Sequence, residues 1–300
     1  MRLFSSPLLV LTLAVLSAAE AAAQRPLKVY ISADMEGVAG VVSAEQLGPT
    51  GFEYGRFREF MTAEVLAAIE GARAAGATEF VVSDSHGNGQ NLLIERLPAD
   101  VTVIRSWPRP LGMMEGIDST FHAAILLGYH AGTTNPAGVR AHTLSSANYA
   151  AVELNGRPVP EAGLSAAIAG HFGVPVVMIS GDDVAVEEAR GLLGAVETVP
   201  VKRAISFHSA ATMTPERAQQ VIRERARAAV ARRAELTPHR IASPVRLDLT
   251  FKSYRPAEML AYLPIVERTT AHAIRYAGRD ILEVARFLAF VGGYEVGLTP

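Results

Sequence analysis

The chain has 300 residues, of which 49% are hydrophobic and 19% charged, a balance typical of a folded globular protein. Its 28 Lys and Arg residues against 30 Asp and Glu residues give a formal net charge of -2, which provides no electrostatic attraction to nucleic acid. Because the chain contains no cysteine, disulfides, thiolate metal sites and cysteine nucleophiles are excluded, and any metal must be held by His, Asp and Glu.

Residues 1–23 are predicted to be a cleavable secretory signal. Arg2 supplies a positive charge, residues 7–16 form an apolar run, and residues 21–23 are small, as a signal peptidase requires. An N-terminal membrane anchor is the alternative, but the apolar core is shorter than the roughly 20 residues that span a bilayer. We therefore expect an exported protein, periplasmic or secreted, whose mature form begins near Gln24 and has no membrane segment.

Short apolar runs rich in β-branched residues predict four buried strands, at residues 27–32, 79–83, 123–127 and 174–180. Helical patterns occur at residues 57–75, 163–171 and 183–193. Gly76 is expected to cap the first helix, and Asp182 is expected to cap the N-terminus of the third. The alternation of strands and helices predicts an α/β fold with a mainly parallel sheet flanked by helices.

The character of the chain changes at about residue 200. A long arginine-rich helix is predicted from Thr214 to about Leu236, followed by a strand at residues 244–251 and a last helix at residues 280–290. The arginine side chains could mark a binding face, but we expect them to form a solvated helix face or a subunit contact. The mature chain is therefore divided into an α/β domain at residues 24–200 and a smaller C-terminal α+β subdomain at residues 201–300.

Carboxylate and imidazole side chains follow the four predicted strands, at the sheet edge where ligands bind in open parallel sheets. The segments are Asp34-Met35-Glu36-Gly37, Asp84-Ser85-His86-Gly87, Gly128-Tyr129-His130 and Gly181-Asp182-Asp183. Alternate residues of extended backbone face the same way, so Asp34 and Glu36 can point at one site. Clustered anions favour a divalent cation, and the mixed ligands favour zinc first, then manganese or cobalt.

Two further residues have alternative interpretations. Glu161 opens a predicted helix, where a carboxylate can simply be stabilised by the helix dipole. His142 lies in a loop of small and polar residues, where it is either a general acid or base or a surface residue. The sequence contains no G-x-S-x-G, H-E-x-x-H or G-x-x-x-x-G-K motif, so the mechanisms that depend on those motifs are not indicated.

Five motifs in a fixed order carry a resemblance to a known family. They are V-Y-I-S-A-D-M-E-G-V-A-G, V-V-S-D-S-H-G, L-L-G-Y-H-A, A-H-T-L and P-E-A-G-L. The sequence resembles the dizinc D-aminopeptidase family associated with bacterial dipeptide-transport operons. The resemblance extends with specific motifs from about Leu27 to Asp183, and more loosely to the C-terminus.

This resemblance implies a role for six residues. Asp34 would bridge two zinc ions, with Glu36 and His86 completing one site and His130 and Glu161 completing the other. His142 falls on the proposed catalytic histidine of the family, which is described as a nucleophile, although the sequence leaves open whether it attacks or moves protons.

The resemblance also implies an activity and an assembly. Family members remove the N-terminal residue from short D-amino-acid peptides such as D-Ala-D-Ala. They form homodecamers with an internal channel, to which residues 201–300 would contribute oligomer contacts and channel lining. Known members are regarded as cytoplasmic, so the predicted signal is a departure that would place this protein near D-alanine-containing peptidoglycan fragments.

Two other functions fit the same residues. One is a different metal-dependent amide hydrolase on the same scaffold, because metal ligands determine the type of reaction more firmly than the substrate. The other is an exported, non-catalytic protein that binds metal or peptide. The presence of His142 beside a full ligand set argues against this second alternative.

Overall fold

The computed structural model describes residues 26–294, so the predicted signal at residues 1–23 lies outside the described residues. The strands, in chain order, are β1 (Lys28–Ala33), β2 (Glu79–Asp84), β3 (Val101–Ile104), β4 (Ala123–Tyr129), β5 (Tyr149–Leu154), β6 (Arg157–Pro158), β7 (Val176–Asp182), β8 (Glu197–Ser206), β9 (Ser209–Thr212), β10 (Val245–Phe251), β11 (Val266–Arg268) and β12 (Ala273–Gly278). The helices are α1 (Tyr54–Ala74), α2 (Glu161–His171), α3 (Asp183–Leu193), α4 (Pro215–Ala231), α5 (Tyr254–Leu260) and α6 (Ile281–Gly293).

The larger sheet has seven strands in the order β3-β2-β1-β4-β7-β8-β9. All its neighbouring pairs are parallel except the β8–β9 hairpin. The predicted α/β class, with a mainly parallel sheet flanked by helices, is confirmed, and a smaller antiparallel sheet accompanies it. Because β1 lies between β2 and β4, the residues that follow these three strands meet at the same edge.

Alternate residues of β1 point to opposite faces of this sheet, as the pleat requires. Val29 and Ile31 pack in a core with side chains of α1 and α4. Tyr30 packs on the other face, in a core that includes side chains of α2, α6 and the smaller sheet. The sheet is therefore buried on both faces, which explains the continuous apolar runs in its strands.

The smaller sheet is antiparallel, with the strand order β11-β12-β10-β5-β6. Its members β5 and β6 come from the middle of the chain, and β5 pairs with β10. Two separate segments, residues 149–158 and 245–278, therefore build this sheet. The boundary expected at residue 200 falls within β8, because pairing between distant strands, rather than chain order, decides which sheet a segment joins.

The ends of the helices follow from local capping. The Asp182 side chain accepts hydrogen bonds from the backbone N–H groups of Val184 and Ala185, which confirms its predicted role as N-cap of α3. Thr214 caps α4 in the same way, followed by Pro215 in the first turn. Among residues 26–294, no helix combines the length and apolar character needed to cross a membrane.

Candidate metal centre

Side chains from four segments converge at the carboxyl edge of the larger sheet. Asp34 directly follows β1, His86 follows β2 by one residue, His130 directly follows β4, and Glu161 is the first residue of α2. The β5–β6 hairpin leads directly into α2 and delivers Glu161 to this edge. All four side chains are buried.

The loop after β1 is held against the end of β4 by backbone contacts. Gly37 N–H donates to Gly128 O at 2.6 Å. A Cβ atom at Gly37 would lie 2.1 Å from Tyr129 O, so any larger residue would push this loop away. The close approach explains why glycine follows Glu36, and it brings Glu36 towards His86 and His130.

Lys202 of β8 ties the same loop from the other side. Its buried ammonium donates hydrogen bonds to three backbone carbonyls of the loop, those of Glu36, Val38 and Val41. Burial lowers the pKa of Lys202 to about 8. No sequence pattern indicates this role of Lys202, because a single lysine in a strand does not reveal which distant carbonyls it will contact.

The six candidate residues form two groups of potential ligands. One group contains Asp34, Glu36 and His86, and the other contains His130, His142 and Glu161. Within each group, one donor atom from each residue lies within 4.8 Å of the others. Asp34 joins the two groups, because its Oδ1 lies 3.3 Å from His86 Nδ1 and its Oδ2 lies 3.3 Å from His130 Nε2.

The orientation of the His86 ring determines which nitrogen faces the carboxylates. His86 Nε2 lies 2.7 Å from Leu47 O. Because a carbonyl oxygen only accepts hydrogen bonds, Nε2 carries the hydrogen atom. In the neutral ring Nδ1 therefore directs a lone pair at Glu36 Oε2, 2.8 Å away.

His130 has the same arrangement with the ring nitrogens exchanged. Its Nδ1 donates to Ala131 O at 3.0 Å, so the lone pair of the neutral ring lies on Nε2. That Nε2 atom lies 3.3 Å from Asp34 Oδ2 and 3.4 Å from Glu161 Oε2. Within the described part of the chain, neither His130 Nε2 nor Asp34 Oδ2 has a hydrogen-bond partner, although both are buried.

Both inward nitrogens therefore meet acceptor oxygens, an arrangement that needs a cation between them. When no metal is bound, protons meet this need. The pKa of His130 is lowered by burial but raised more strongly by Glu161 and Asp34, so it lies well above its usual range. The pKa of His86 is raised in the same way, mainly by Glu36.

Burial and the two imidazole rings also shift the pKa values of the carboxylates. Burial, followed by repulsion from Glu36, raises the pKa of Asp34. Burial also opposes ionisation of Glu36, but the His86 ring outweighs it and holds the pKa of Glu36 well below its usual range. Such a set of buried carboxylates and imidazoles matches the ligands that zinc takes in proteins.

His142 packs against the other two members of the second group of potential ligands, His130 and Glu161. Its ring stacks on His130, with centroids 4.0 Å apart and planes 13° from parallel. His142 Nδ1 donates to Arg140 O at 2.8 Å, so Nε2 holds the lone pair, 3.8 Å from Glu161 Oε1. The same Oε1 accepts a hydrogen bond from the Leu144 backbone N–H at 2.7 Å.

The Glu161 carboxylate therefore lies both at the start of a helix and next to two imidazole rings. It stands in the first turn of α2, as the helix-dipole interpretation requires, and it also faces His130 and His142. Burial opposes ionisation of Glu161, but attraction to His130 and His142 together outweighs it and lowers the pKa of Glu161. A carboxylate that served only the helix dipole would not need to be buried against two imidazoles.

A hydrogen-bond network behind His86 holds its loop in place. The Asn91 amide donates to Asp84 Oδ1 at 2.7 Å and to His86 O at 2.6 Å. Asp84 also accepts from the backbone N–H groups of Asn91 and Leu92. The sequence placed Asp84 at the sheet edge, but only the structure shows that its carboxylate supports this loop.

Comparisons with known proteins agree with one another. Residues 27–290 match the model of the peptidase M55 family, described as D-aminopeptidase. The chain is 35% identical over 260 residues to a D-aminopeptidase of Bacillus subtilis strain 168, which covers 86% of this chain and 93% of that protein. Among solved structures, it resembles the Zn-dependent D-aminopeptidase DppA from Bacillus subtilis, a self-compartmentalizing protease, with a TM-score of 0.84 at 32% identity. That match covers 90% of this chain and 99% of the other.

The support of His86 by Asn91 can be tested by Asn91→Ala. The variant leaves Asp84 Oδ1 without its donor and removes one of the two donors to His86 O, because the Gly89 backbone N–H remains. We therefore expect zinc affinity to fall about 10- to 100-fold. The free energy of unfolding should also fall by about 1–3 kcal/mol. Competition with a chromophoric chelator measures the affinity. Asn88→Ala, at an exposed position of the same loop, is the matched control, and equal affinities in the two variants would contradict the role of Asn91.

Proposed function

Because this chain belongs to the D-aminopeptidase family, a family of metallopeptidases, we propose that it uses two zinc ions to remove the N-terminal residue from short D-amino-acid peptides. The observation that supports this most strongly is the pair of inward nitrogens, His86 Nδ1 and His130 Nε2, which face the oxygens of three carboxylates. The zinc dependence and the D-peptide substrate are those named for the similar Bacillus proteins.

We assign the ligands from this geometry and from the resemblance. The two carboxylate oxygens of Asp34 face different imidazoles, so Asp34 would be shared between the two ions. Glu36 and His86 would complete one site, and His130 and Glu161 would complete the other. The three carboxylates carry a total charge of -3. Two divalent cations would therefore give the site a net charge of +1.

Bound zinc supplies Lewis-acid polarisation of the scissile carbonyl and acidifies water. The chain's own residues provide the proton transfer and the orientation. Leu47 O and Ala131 O hold the two ligand rings in the tautomers that leave their inward nitrogens free.

His142 is assigned as the catalytic residue. Its Nδ1 hydrogen atom is held by Arg140 O, so the Nε2 lone pair is available on the side of the cluster. The ring lines the same cavity as Asp34, Glu36 and His86. Attack on the substrate and removal of a proton both use the Nε2 lone pair, which the hydrogen bond from Nδ1 to Arg140 O leaves free.

We propose further that the protein is exported and that it assembles as a homo-oligomer. Export rests on the signal pattern at residues 1–23. Assembly is supported by the similarity to DppA, which is a self-compartmentalizing protease, and the homodecamer is the state that the family resemblance implies. In that assembly, residues 201–300 contribute to subunit contacts and to the lining of the channel.

The substrate can be tested by measuring release of free amino acid from D-Ala-D-Ala and L-Ala-L-Ala. We expect zinc-loaded protein to cleave the D-dipeptide at least about tenfold faster, and a chelator to abolish the reaction. Cleavage of the L-dipeptide alone would contradict the proposed preference for D-residues, but it would still be consistent with a metal-dependent peptidase. If neither is cleaved, the aminopeptidase assignment fails in favour of another amide hydrolase or a binding protein.

The residue roles can be separated by measuring zinc content together with turnover. Asp34→Ala should lose both zinc equivalents, because one carboxylate serves two ions. His142→Ala should keep both equivalents while kcat falls about 10²- to 10⁴-fold. His272→Ala, at an exposed position, is the control and should change neither quantity. Loss of one equivalent in Asp34→Ala would contradict bridging, and loss of zinc in His142→Ala would make His142 a ligand.

A further inference from the structure

A cavity of about 470 Å³ adjoins the metal centre. One end is lined by residues of both ligand groups, among them Asp34, His86, His142 and Glu161. The volume is within the range of about 300–1,000 Å³ that ligand pockets commonly have. It provides much more space beside the cluster than the methyl side chains of an alanine dipeptide need.

Another part of the cavity is an apolar wall built by two helices. Leu164 and Ile168 come from α2, and the remaining members come from α6: Ile281, Ala285, Leu288 and Ala289. The α6 members recur at helical spacing, so they form one face of that helix. Ala285 and Ala289 carry only methyl side chains, so they fill little of the cavity that they line.

Away from the metal centre, the cavity-lining residues that the structure describes offer no free charge to pair with a charged substrate side chain. Among the described lining residues outside the centre, Arg109 is the only charged one. Its guanidinium donates to Ser106 O at 2.5 Å, Ser83 Oγ at 2.8 Å and Asp84 O at 2.7 Å, so it is already engaged in the scaffold. A charged side chain placed against the apolar wall would lose its hydration without gaining a partner.

We propose that the apolar wall binds a bulky, uncharged apolar side chain of the peptide, so that the enzyme prefers leucine-sized residues to alanine. This proposal rests on the peptidase activity proposed above and specifies its substrate class. A methyl group leaves the wall in contact with water, whereas an isobutyl group covers it. In an apolar pocket a single methylene changes kcat/KM by about 10- to 200-fold, so the preference should be easy to measure.

The first test compares kcat/KM for peptides that differ in one side chain. Leucine replaces alanine at each position of the dipeptide in turn, in the configuration that the enzyme cleaves. Asparagine, which has the size of leucine but is polar, serves as the matched control. We expect kcat/KM for the better leucine peptide to exceed that of the alanine and asparagine peptides at least about tenfold. No gain from leucine at either position would overturn the proposal.

The second test fills the space in front of the apolar wall. Ala289→Phe should lower the ratio of kcat/KM for the leucine peptide to that for the alanine peptide at least about tenfold. Ala228→Phe, the same change on the exposed face of α4, should leave the ratio unchanged. Gly292→Leu is a second filling variant, since Gly292 also lines the cavity and a Cβ there meets no atom within 4 Å. An unchanged ratio in a folded filling variant would overturn the proposal.

A binding measurement separates failure of this proposal from failure of the peptidase assignment. Trp107 is the only tryptophan of the chain, and it lines the cavity, so its fluorescence reports on occupancy. If no peptide is cleaved, the peptidase assignment fails, and titration with D-Leu-D-Ala, D-Ala-D-Leu and D-Ala-D-Ala decides the role of the wall. Binding of either leucine peptide at least about tenfold more tightly than D-Ala-D-Ala, lost in Ala289→Phe, would support that role. Equal binding of all three peptides would overturn it.

Discussion

Two imidazole rings at the sheet edge are turned so that their free nitrogens face carboxylate oxygens. The backbone carbonyls of Leu47 and Ala131 produce this arrangement, because each accepts the one hydrogen atom that its neutral ring carries. What remains is a lone pair on each ring, directed at a buried carboxylate. In a buried site such a contact is repulsive unless a proton or a metal ion lies in it. The metal centre follows from this constraint.

The fold brings the ligand side chains together from segments that are distant in the sequence. The strand order places β1 between β2 and β4, so Asp34 lies between His86 and His130 and directs one oxygen at each. The β5–β6 hairpin belongs to the smaller sheet, yet it leads into the first turn of α2 and brings Glu161 to the same edge. Lys202 donates hydrogen bonds to three backbone carbonyls of the loop that contains Glu36 and so holds this loop in place. The smaller sheet and the far edge of the larger one thus both support the centre.

Local chemistry in the sequence was sufficient to predict part of this site. Buried parallel strands are readable as apolar runs, and the residues after them, Asp34, His86 and His130, necessarily share an edge. Pattern alone left Glu161 and His142 undecided, because a helix start and a loop each allow a purely structural interpretation. The family resemblance assigned them, and the structure places both beside His130.

Other parts depended on contacts between distant residues and could not be predicted. Strands β5 and β6 were missed, and their sheet includes strands about a hundred residues further along the chain. The support of His86 by Asn91 and the engagement of Arg109 depend on side-chain hydrogen bonds that no local pattern indicates. The α6 residues of the apolar wall have an ordinary amphipathic spacing, which gave no sign that part of their face lines a cavity.

The central claim is that the two inward nitrogens and the three carboxylates hold a pair of zinc ions bridged by Asp34. Anomalous scattering from crystals of the zinc-loaded protein, recorded on both sides of the zinc absorption edge, tests it most directly. The account predicts two zinc peaks, one among Asp34, Glu36 and His86 and the other among Asp34, His130 and Glu161. A single peak, or zinc bound away from Asp34, would contradict it.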